Sequence, residues 1–575
     1  MDRRKSNKLT TGRLIASLGS MKNLFSAEHD QEKVLLIREL SLRQLKSPSV
    51  LKKYHDILCF MQAYPGNTEL LTIIDEELSG FTRRIETYRK IYGLDDDRLD
   101  DTGMVDTVIG YPYNYITAQW LVRNFGRDVD IDWNSYAEKE SDPISGLLSL
   151  FALYLENDGI DDENISSEDW LDEARGDRLN SLAWLLGKID SLNAPLSVKQ
   201  YIYDSAELDL RWILGRSNAT TTLAKKAMKN IFFHRTSLVK TKIDLRKSAG
   251  KSIPDLDLIS AEDGEETINT LIKALLPRHR ELYPATFANL SEVYETSPGR
   301  GLQIYILGMR PDDRMPLETN YSALLIKNGV PIGYGIAVLF FDRCEIAINV
   351  FDSFRSAEAS MIFDHFLRVF YHHFGARTFI MRRWQVGFEN EEGLKSGSFW
   401  FYYKMGFRPM DKRIDGIARI EARRIKHDPA YRTDLKTLKK LATSDMLVDL
   451  RTRPRGTFRE LQVTDIGIAV TRWVAKDYAG NSRRAQESAQ KRAAIILGDP
   501  DQSGWNRSER LQFARWSPLI AIIPEMNSWS HSEIEMLLEI IRAKAGVVEK
   551  EYVRLLQNHP RLESSLSLVA RRGSH

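Results

Sequence analysis

Hydrophobic periodicity changes twice along this chain, and each change marks a different kind of folded layer. From about Glu32 to Lys247, segments such as "VLKKYHDILCFMQAY", "LLTIIDEELSGFTRRIETYRKIY" and "LNSLAWLLGKI" repeat apolar residues at three and four steps, the spacing of one buried helix face. Breaks at "PGNT", "LDDDRLDDTG" and "NDGIDDENISSED" supply turn and cap residues. Beyond "RKSAGKSIPDLDLISAEDGEET" the pattern becomes strand-like. "GLQIYILGM", "YSALLIKNG", "VPIGYGIAVLFF" and "CEIAINVF" read as an antiparallel meander, with Asn328-Gly329 a tight-turn signal between the middle pair. A helix "AEASMIFDHFLRVFYHHFG", a fifth strand "ARTFIMRRWQVG" and a helix "LKSGSFWFYYKMGF" follow. From Lys412 the chain is again helical and locally basic.

The expected architecture is therefore α/β (α+β): a mixed-sheet domain over 265–411 between α-helical domains over 31–250 and 412–575, with a mobile basic tail at 1–30 and a linker at 251–264. A chain of 575 residues exceeds what one core organises. With 43% hydrophobic and 28% charged residues it has the apolar material that disordered chains lack. A net charge of +2 gives no global field towards nucleic acid or a membrane. No apolar run approaches the ~20 residues that span a bilayer, so no membrane partner is expected. Cys59 and Cys344, the only cysteines, lie far apart in apolar stretches. Neither a disulfide framework nor a thiolate metal site is expected, and a reducing, cytoplasmic setting fits. The apolar segment of the basic opening is too short for a secretory signal. The closing "RRGSH" is set aside from fold reasoning.

Two phrases carry the chemistry: "NVFDSFRSAEAS", Asn349 to Ser360, where a strand gives way to a helix, and "FYYKMGF", Phe401 to Phe407. With the order of strands and helices around them, residues 265–411 resemble the GNAT acyltransferase superfamily; the flanking helical regions resemble nothing of known function. The resemblance implies an N-acyltransferase that takes acetyl-CoA or another acyl-CoA as donor and a small-molecule or peptide amine as acceptor. It implies a bulged fourth strand that parts from the fifth after Val350, leaving room for the thioester, and a turn that cradles the CoA pyrophosphate. Such a cradle works because backbone N–H groups at a helix start carry partial positive charge and glycine lets phosphate approach them.

The implied cofactor-binding set is Asn349, Val350, Phe351, Arg355, Ser356, Ala357, Glu358, Ala359 and Ser360. Arg355 stands at the expected interval after Val350, but Glu358 occupies the first glycine position and Ser360 a small-residue position. A carboxylate ~4 Å from a phosphate charge costs on the order of 4 kcal/mol at an effective dielectric near 20, more than a helix start returns. Either Glu358 points away, or Arg355 neutralises it, or CoA does not bind here. Alternatively Glu358 simply complements the helix dipole, with Ser356 as cap. Tyr402 stands where the family often protonates the departing thiolate, and also reads as a core residue of an amphipathic helix. Glu345 lies near positions where related enzymes place a base, provided strand parity turns it to the right face. Asn349 suits a pantetheine amide or a neighbour in the ladder.

Other features invite a bland explanation beside a functional one. "DPDQSGWNRSER", Asp499 to Arg510, begins like a calcium loop, but Arg510 stands where a closing glutamate belongs; a turn before a Ser508-capped helix accounts for it. His372 and His373 point about 100° apart on a helix and do not share a metal. The basic stretches "RIEARRIKHDPAYRTDLKTLKK" and "KKAMKNIFFHRTSLVKTKIDLRK" read as solvated faces or as contacts to a protein or tRNA partner. A non-catalytic GNAT-like scaffold and an aminoacyl-tRNA-dependent transferase are the rival functions.

Overall fold

At the Asn328-Gly329 turn both central residues have positive φ, 49° and 84°, the geometry a two-residue hairpin needs to match strand twist. The structure, a computed structural model, describes residues 10–93, 96–160, 165–239, 243–355, 357–451 and 460–573. The chain divides into two units: one formed by Met1–Ser237, Asn269–Thr286 and Lys327–Pro331, the other by Leu238–Ile268, Phe287–Ile326 and Ile332–His575.

The first unit opens with helices α1 (Thr11–Met21), α2 (Ala27–Ser41), α3 (Pro48–Ala63), α4 (Thr68–Ser79) and α5 (Thr82–Tyr92). The described part of the expected mobile tail is thus ordered. Leu14, Ile15, Leu18 and Met21 form a buried stripe at helical spacing, and the Thr10 side chain caps α1 by accepting from the Arg13 N–H. The basic composition hid this short amphipathic signal. Nor is the region helical throughout. Strands β1 (Val108–Tyr111), β2 (Val129–Ile131) and β3 (Leu210–Ile213) form an antiparallel sheet in the order β1-β3-β2. Helices α6 (Tyr115–Phe125) and α7 (Ser181–Ser191) contribute to the same core, with Trp212 of β3 fully buried. Strands of three or four residues are too short for alternation to register in a sequence.

The second unit is built on one nine-stranded sheet. Its strands are β4 (Asp257–Leu258), β5 (Ala288–Gly299), β6 (Leu302–Met309), β7 (Thr319–Lys327), β8 (Val330–Phe340), β9 (Arg343–Val350), β10 (Thr378–Met381), β11 (Arg408–Pro409) and β12 (Met446–Asp449), in the order β11-β12-β10-β9-β8-β7-β6-β5-β4. Helix α8 (Ala359–His373) joins β9 to β10, which lie parallel, as a helical crossover requires. Helix α9 (Ser398–Met405) carries the aromatic phrase, and α10 (Lys412–His427) follows β11. The expected helical domain from 412 is corrected by β12, which pairs antiparallel with both β10 and β11. It is followed by α11 (Val463–Tyr478), α12 (Ser482–Ile496), α13 (Arg507–Ile522), α14 (His531–Lys544), α15 (Lys550–Asn558) and α16 (Leu562–Gly573). The closing Arg571–Gly573 belong to α16, and Gly573 is buried.

The expected linker is also structured. Asp257 and Leu258 pair with Glu295 and Tyr294 of β5. Upstream, Arg368 of α8 donates to the Lys251 and Ser252 carbonyls, while His372 and His373 place Nε2 at 2.9 and 3.1 Å from the carbonyls of Lys251 and Pro254. The adjacent histidines therefore hold a backbone segment. At Asp499–Arg510, Asp501 accepts from the Ser503 N–H and hydroxyl. Asn506, rather than the expected Ser508, caps α13, in a reciprocal box with Glu509. Ser508 instead donates to Asp312.

Candidate functional site

The site is set by which face of β9 each residue occupies. A Cβ on Gly335 would lie 2.5 Å from Phe366 of α8, so glycine is what lets the helix come this close. Gly335 pairs with Ile348 in an unbroken antiparallel ladder running from Gly333–Val350 to Phe340–Arg343. Cys344, Ile346, Ile348 and Val350 therefore share the face covered by α8, and Glu345, Ala347 and Asn349 project from the other. The continuous ladder also removes the expected bulge in the fourth strand.

The other edge of β9 behaves differently. Its parallel ladder with β10 holds three pairs, Arg343–Thr378, Cys344–Phe379 and Glu345–Ile380. After Met381 the chain turns into the single helical turn Arg383–Val386, while β9 runs on to Val350. From Ile346 onward this edge of β9 has no strand partner among the described residues. The separation thus begins after Glu345, earlier than the expected Val350.

A charge cluster stands at this fork. Arg382 donates from Nε to Glu345 at 2.6 Å, from Nη1 to Asp445 at 3.1 Å and from Nη2 to Glu460 at 2.7 Å. Arg343 bridges Glu460 and Glu318, the latter at 2.6 Å. Two guanidiniums thus face four carboxylates, leaving a surplus of negative charge. Burial pushes Glu460 up, but the Arg382 and Arg343 guanidiniums outweigh it and hold the carboxyl below its ordinary range. Burial pushes Glu318 the other way, above its ordinary value, with Arg343 opposing. Glu345 stands out in the sequence, but its partners do not. Arg382 sits inside what read as a continuous strand, and Asp445 and Glu460 lie in the region read as a separate helical domain.

The anion cradle is occupied by the chain's own groups. Glu358 is fully buried at the N-cap of α8. Arg300 holds its carboxylate at 2.8 Å, and the Val239 N–H donates to it at 3.2 Å. It is Arg300, rather than Arg355, that neutralises this acid. Arg355 donates to the Val350 carbonyl at 3.1 Å and pairs with Asp352 at 2.8 Å and with Glu392. The Ala357 N–H donates to the Phe354 carbonyl. Ala359 and Ser360 open α8 and are half-buried, whereas Ser356 lies outside the described residues. Asn349 contacts the Tyr334 hydroxyl at 3.4 Å, and Phe351 is buried with its ring 6.1 Å from that of Tyr334.

Tyr402 is buried in α9, its ring 5.5 Å from Phe363 of α8 and 5.9 Å from Phe407. Burial pushes its phenol far above the ordinary tyrosine value, so the ring keeps its proton. It packs against α8, whereas Glu345 projects from the opposite face of β9, and the two do not touch. Among the described residues, no group of three or more His, Cys, Asp or Glu is placed to hold a metal ion, and no helix is long and apolar enough to cross a membrane. Comparison with protein-family models, with curated proteins and with solved structures finds no match.

Proposed function

We propose that the fork between β9 and β10 is an acyl-transfer site, and that the protein is a GNAT-like N-acyltransferase using acetyl-CoA or another acyl-CoA as donor and an amine as acceptor. The observation that carries the reading is the loss of the β9–β10 ladder after Glu345, while the other edge of β9 stays paired with β8 as far as Val350. A thioester lying in such a gap spans the sheet, with its sulfur towards the α8 face, where Tyr402 packs, and its carbonyl towards the face of Glu345. The opposite placement of the two residues then suits their roles. The amine nitrogen attacks the thioester carbon, the C–N bond forms, and the ammonium proton passes to Glu345 directly or through water. The C–S bond breaks, and the leaving thiolate takes the proton of Tyr402, restored from solvent. The carboxylate surplus around Arg382 draws a protonated amine to the entrance, where it releases one proton to solvent before its nitrogen attacks.

Calorimetric titration with acetyl-CoA and with longer acyl-CoAs tests the donor. Heat on mixing supports the reading, and silence with every donor removes it. In a coupled thiol-release assay, Glu345→Gln and Tyr402→Phe are each expected to lower kcat by on the order of 10²-fold.

A second reading draws on Arg300–Glu358 and Arg355–Glu392, which consume the groups a pyrophosphate would use. In it the fold is a scaffold whose protein or nucleic-acid partner binds undiminished after both substitutions. A donor without a pyrophosphate, such as aminoacyl-tRNA, fits the same observation, and consumption of charged tRNA distinguishes it.

A further inference from the structure

We propose that the groove between α11 and α12 binds single-stranded nucleic acid, through its sugar-phosphate backbone and one stacked base. The two helices are joined by a short turn in which Ala479 and Gly480 take positive φ, with the Asn481 side chain capping α12. On α11, Arg472, Trp473 and Lys476 recur at three- and four-residue steps; on α12, Lys491, Arg492 and Ile495 do the same. Both sets line one open cavity of about 900 Å³, near the upper end of the range for ligand pockets.

The groove's chemistry is lopsided. Arg572, near the end of α16, adds a fifth cation, against the carboxylates of Asp477 and Glu525. The Glu525 carboxylate already lies 3.8 Å from Arg561. Among the described residues, Lys476, Lys491 and Arg492 have no carboxylate within ion-pair distance. The whole chain carries only 81 basic against 79 acidic residues, so this excess is local. Arg472 is oriented by donating to the Arg572 carbonyl at 2.7 Å.

Trp473 supplies the second element. Its ring is half-buried and set edge-on to Tyr478, with centroids 5.0 Å apart. A half-buried indole among these cations gives a base a face on which to stack while phosphates meet the ammonium and guanidinium groups. Cations on both walls and on the end of a third helix are spread too widely for one phosphate. An extended, repeating anion uses all of them. Rigid duplexes lack the splayed bases that stacking requires.

The test uses the full chain and a fluorescein-labelled octathymidylate, read by fluorescence anisotropy from 50 to 300 mM NaCl. Binding is expected to weaken with salt, with a log–log slope of about −2 to −3, which corresponds to three or four phosphate contacts at ~0.7 each. Lys491→Glu/Arg492→Glu is expected to lower affinity by at least about tenfold and to flatten that slope. Trp473→Ala should lose on the order of tenfold, and Trp473→Phe should recover most of it. Matching thermal unfolding curves establish that each variant is folded. Absence of binding at 50 mM NaCl overturns the proposal, as does binding that the α12 charge reversal leaves unchanged. Equal competition by a duplex of the same length, or by ADP at equal phosphate concentration, also overturns it.

Discussion

The second unit holds two clusters of alternating charge, and they differ in their access to water. At the fork most of the charged groups reach water: the Arg382 side chain is 29% exposed, that of Glu345 31% and that of Asp445 26%, with Glu460 alone of its carboxylates buried. Between the sheet and the C-terminal helices, by contrast, Arg314, Glu292, Lys544 and Glu549 are wholly buried. Arg314 donates to Glu292 at 3.0 Å and to the carbonyls of Met309, Lys544, Gly546 and Val547. Glu549 pairs with Lys544, and its own N–H donates to Glu292 at 2.6 Å. Two cations and two carboxylates balance inside, where an unpaired charge is prohibitive; at the fork the carboxylates outnumber the cations, which only solvent or a ligand tolerates. The sealed cluster joins strands to helices, and the open one meets solvent.

The largest effect expected from breaking this contrast is that of Arg314→Met. Removing one member leaves buried carboxylates uncompensated and should cost about 3–5 kcal/mol in chemical denaturation. Arg382→Met should cost roughly 1 kcal/mol, because water reaches Glu345 and Asp445 and Arg343 still pairs with Glu460. Equal costs would erase the distinction. Gly308→Ala comes next: its Cβ would fall 2.3 Å from the Glu292 carboxyl, and displacing that group should cost about 1–3 kcal/mol.

The two clusters also predict opposite pH slopes. Burial pushes Glu292 up to about 7, so the folded state binds a proton that the unfolded state releases above its ordinary value of 4.5. Stability from this group is present below pH 4.5 and is lost as pH rises towards 7. Glu460 is held below its ordinary value, so its contribution is present above 4.5 and lost as the solution is acidified. Denaturation across pH 3–8 should show both limbs, with Glu292→Gln flattening the upper and Glu460→Gln the lower. The smallest effect is that of salt. Raising NaCl to 0.5 M should change the cost of Arg382→Met by under about 0.5 kcal/mol and leave that of Arg314→Met unchanged.

Much of the sheet is legible in the residues. The runs around Ile304, Leu324, Ile336 and Ile346 are β6 to β9, and "TFIM" is β10. The strand that escapes notice is β5, "ANLSEVYETSPG", whose Glu292 reads as a surface residue until Arg314 and Tyr321, distant in sequence, enclose it. β12 escapes for a different reason: it returns to the sheet after α10 and takes a place between β10 and β11, and no local pattern encodes that insertion. At the candidate site, Glu345, Asn349, Arg355 and Glu358 are singled out by the resemblance alone. Their partners Arg382, Glu392 and Arg300 are not, because each pairing spans 37 residues or more of chain.

What the chain determines locally is where helices and strands form, since apolar period, caps and the Asn328-Gly329 turn act over a few residues. Tertiary packing alone decided that β10 leaves β9 after Glu345, that Glu358 is neutralised by Arg300, and that one charge cluster is sealed while another stays open. The physical reason is that the worth of a charge depends on the dielectric and on the partners around it, and residues far apart along the sequence supply both.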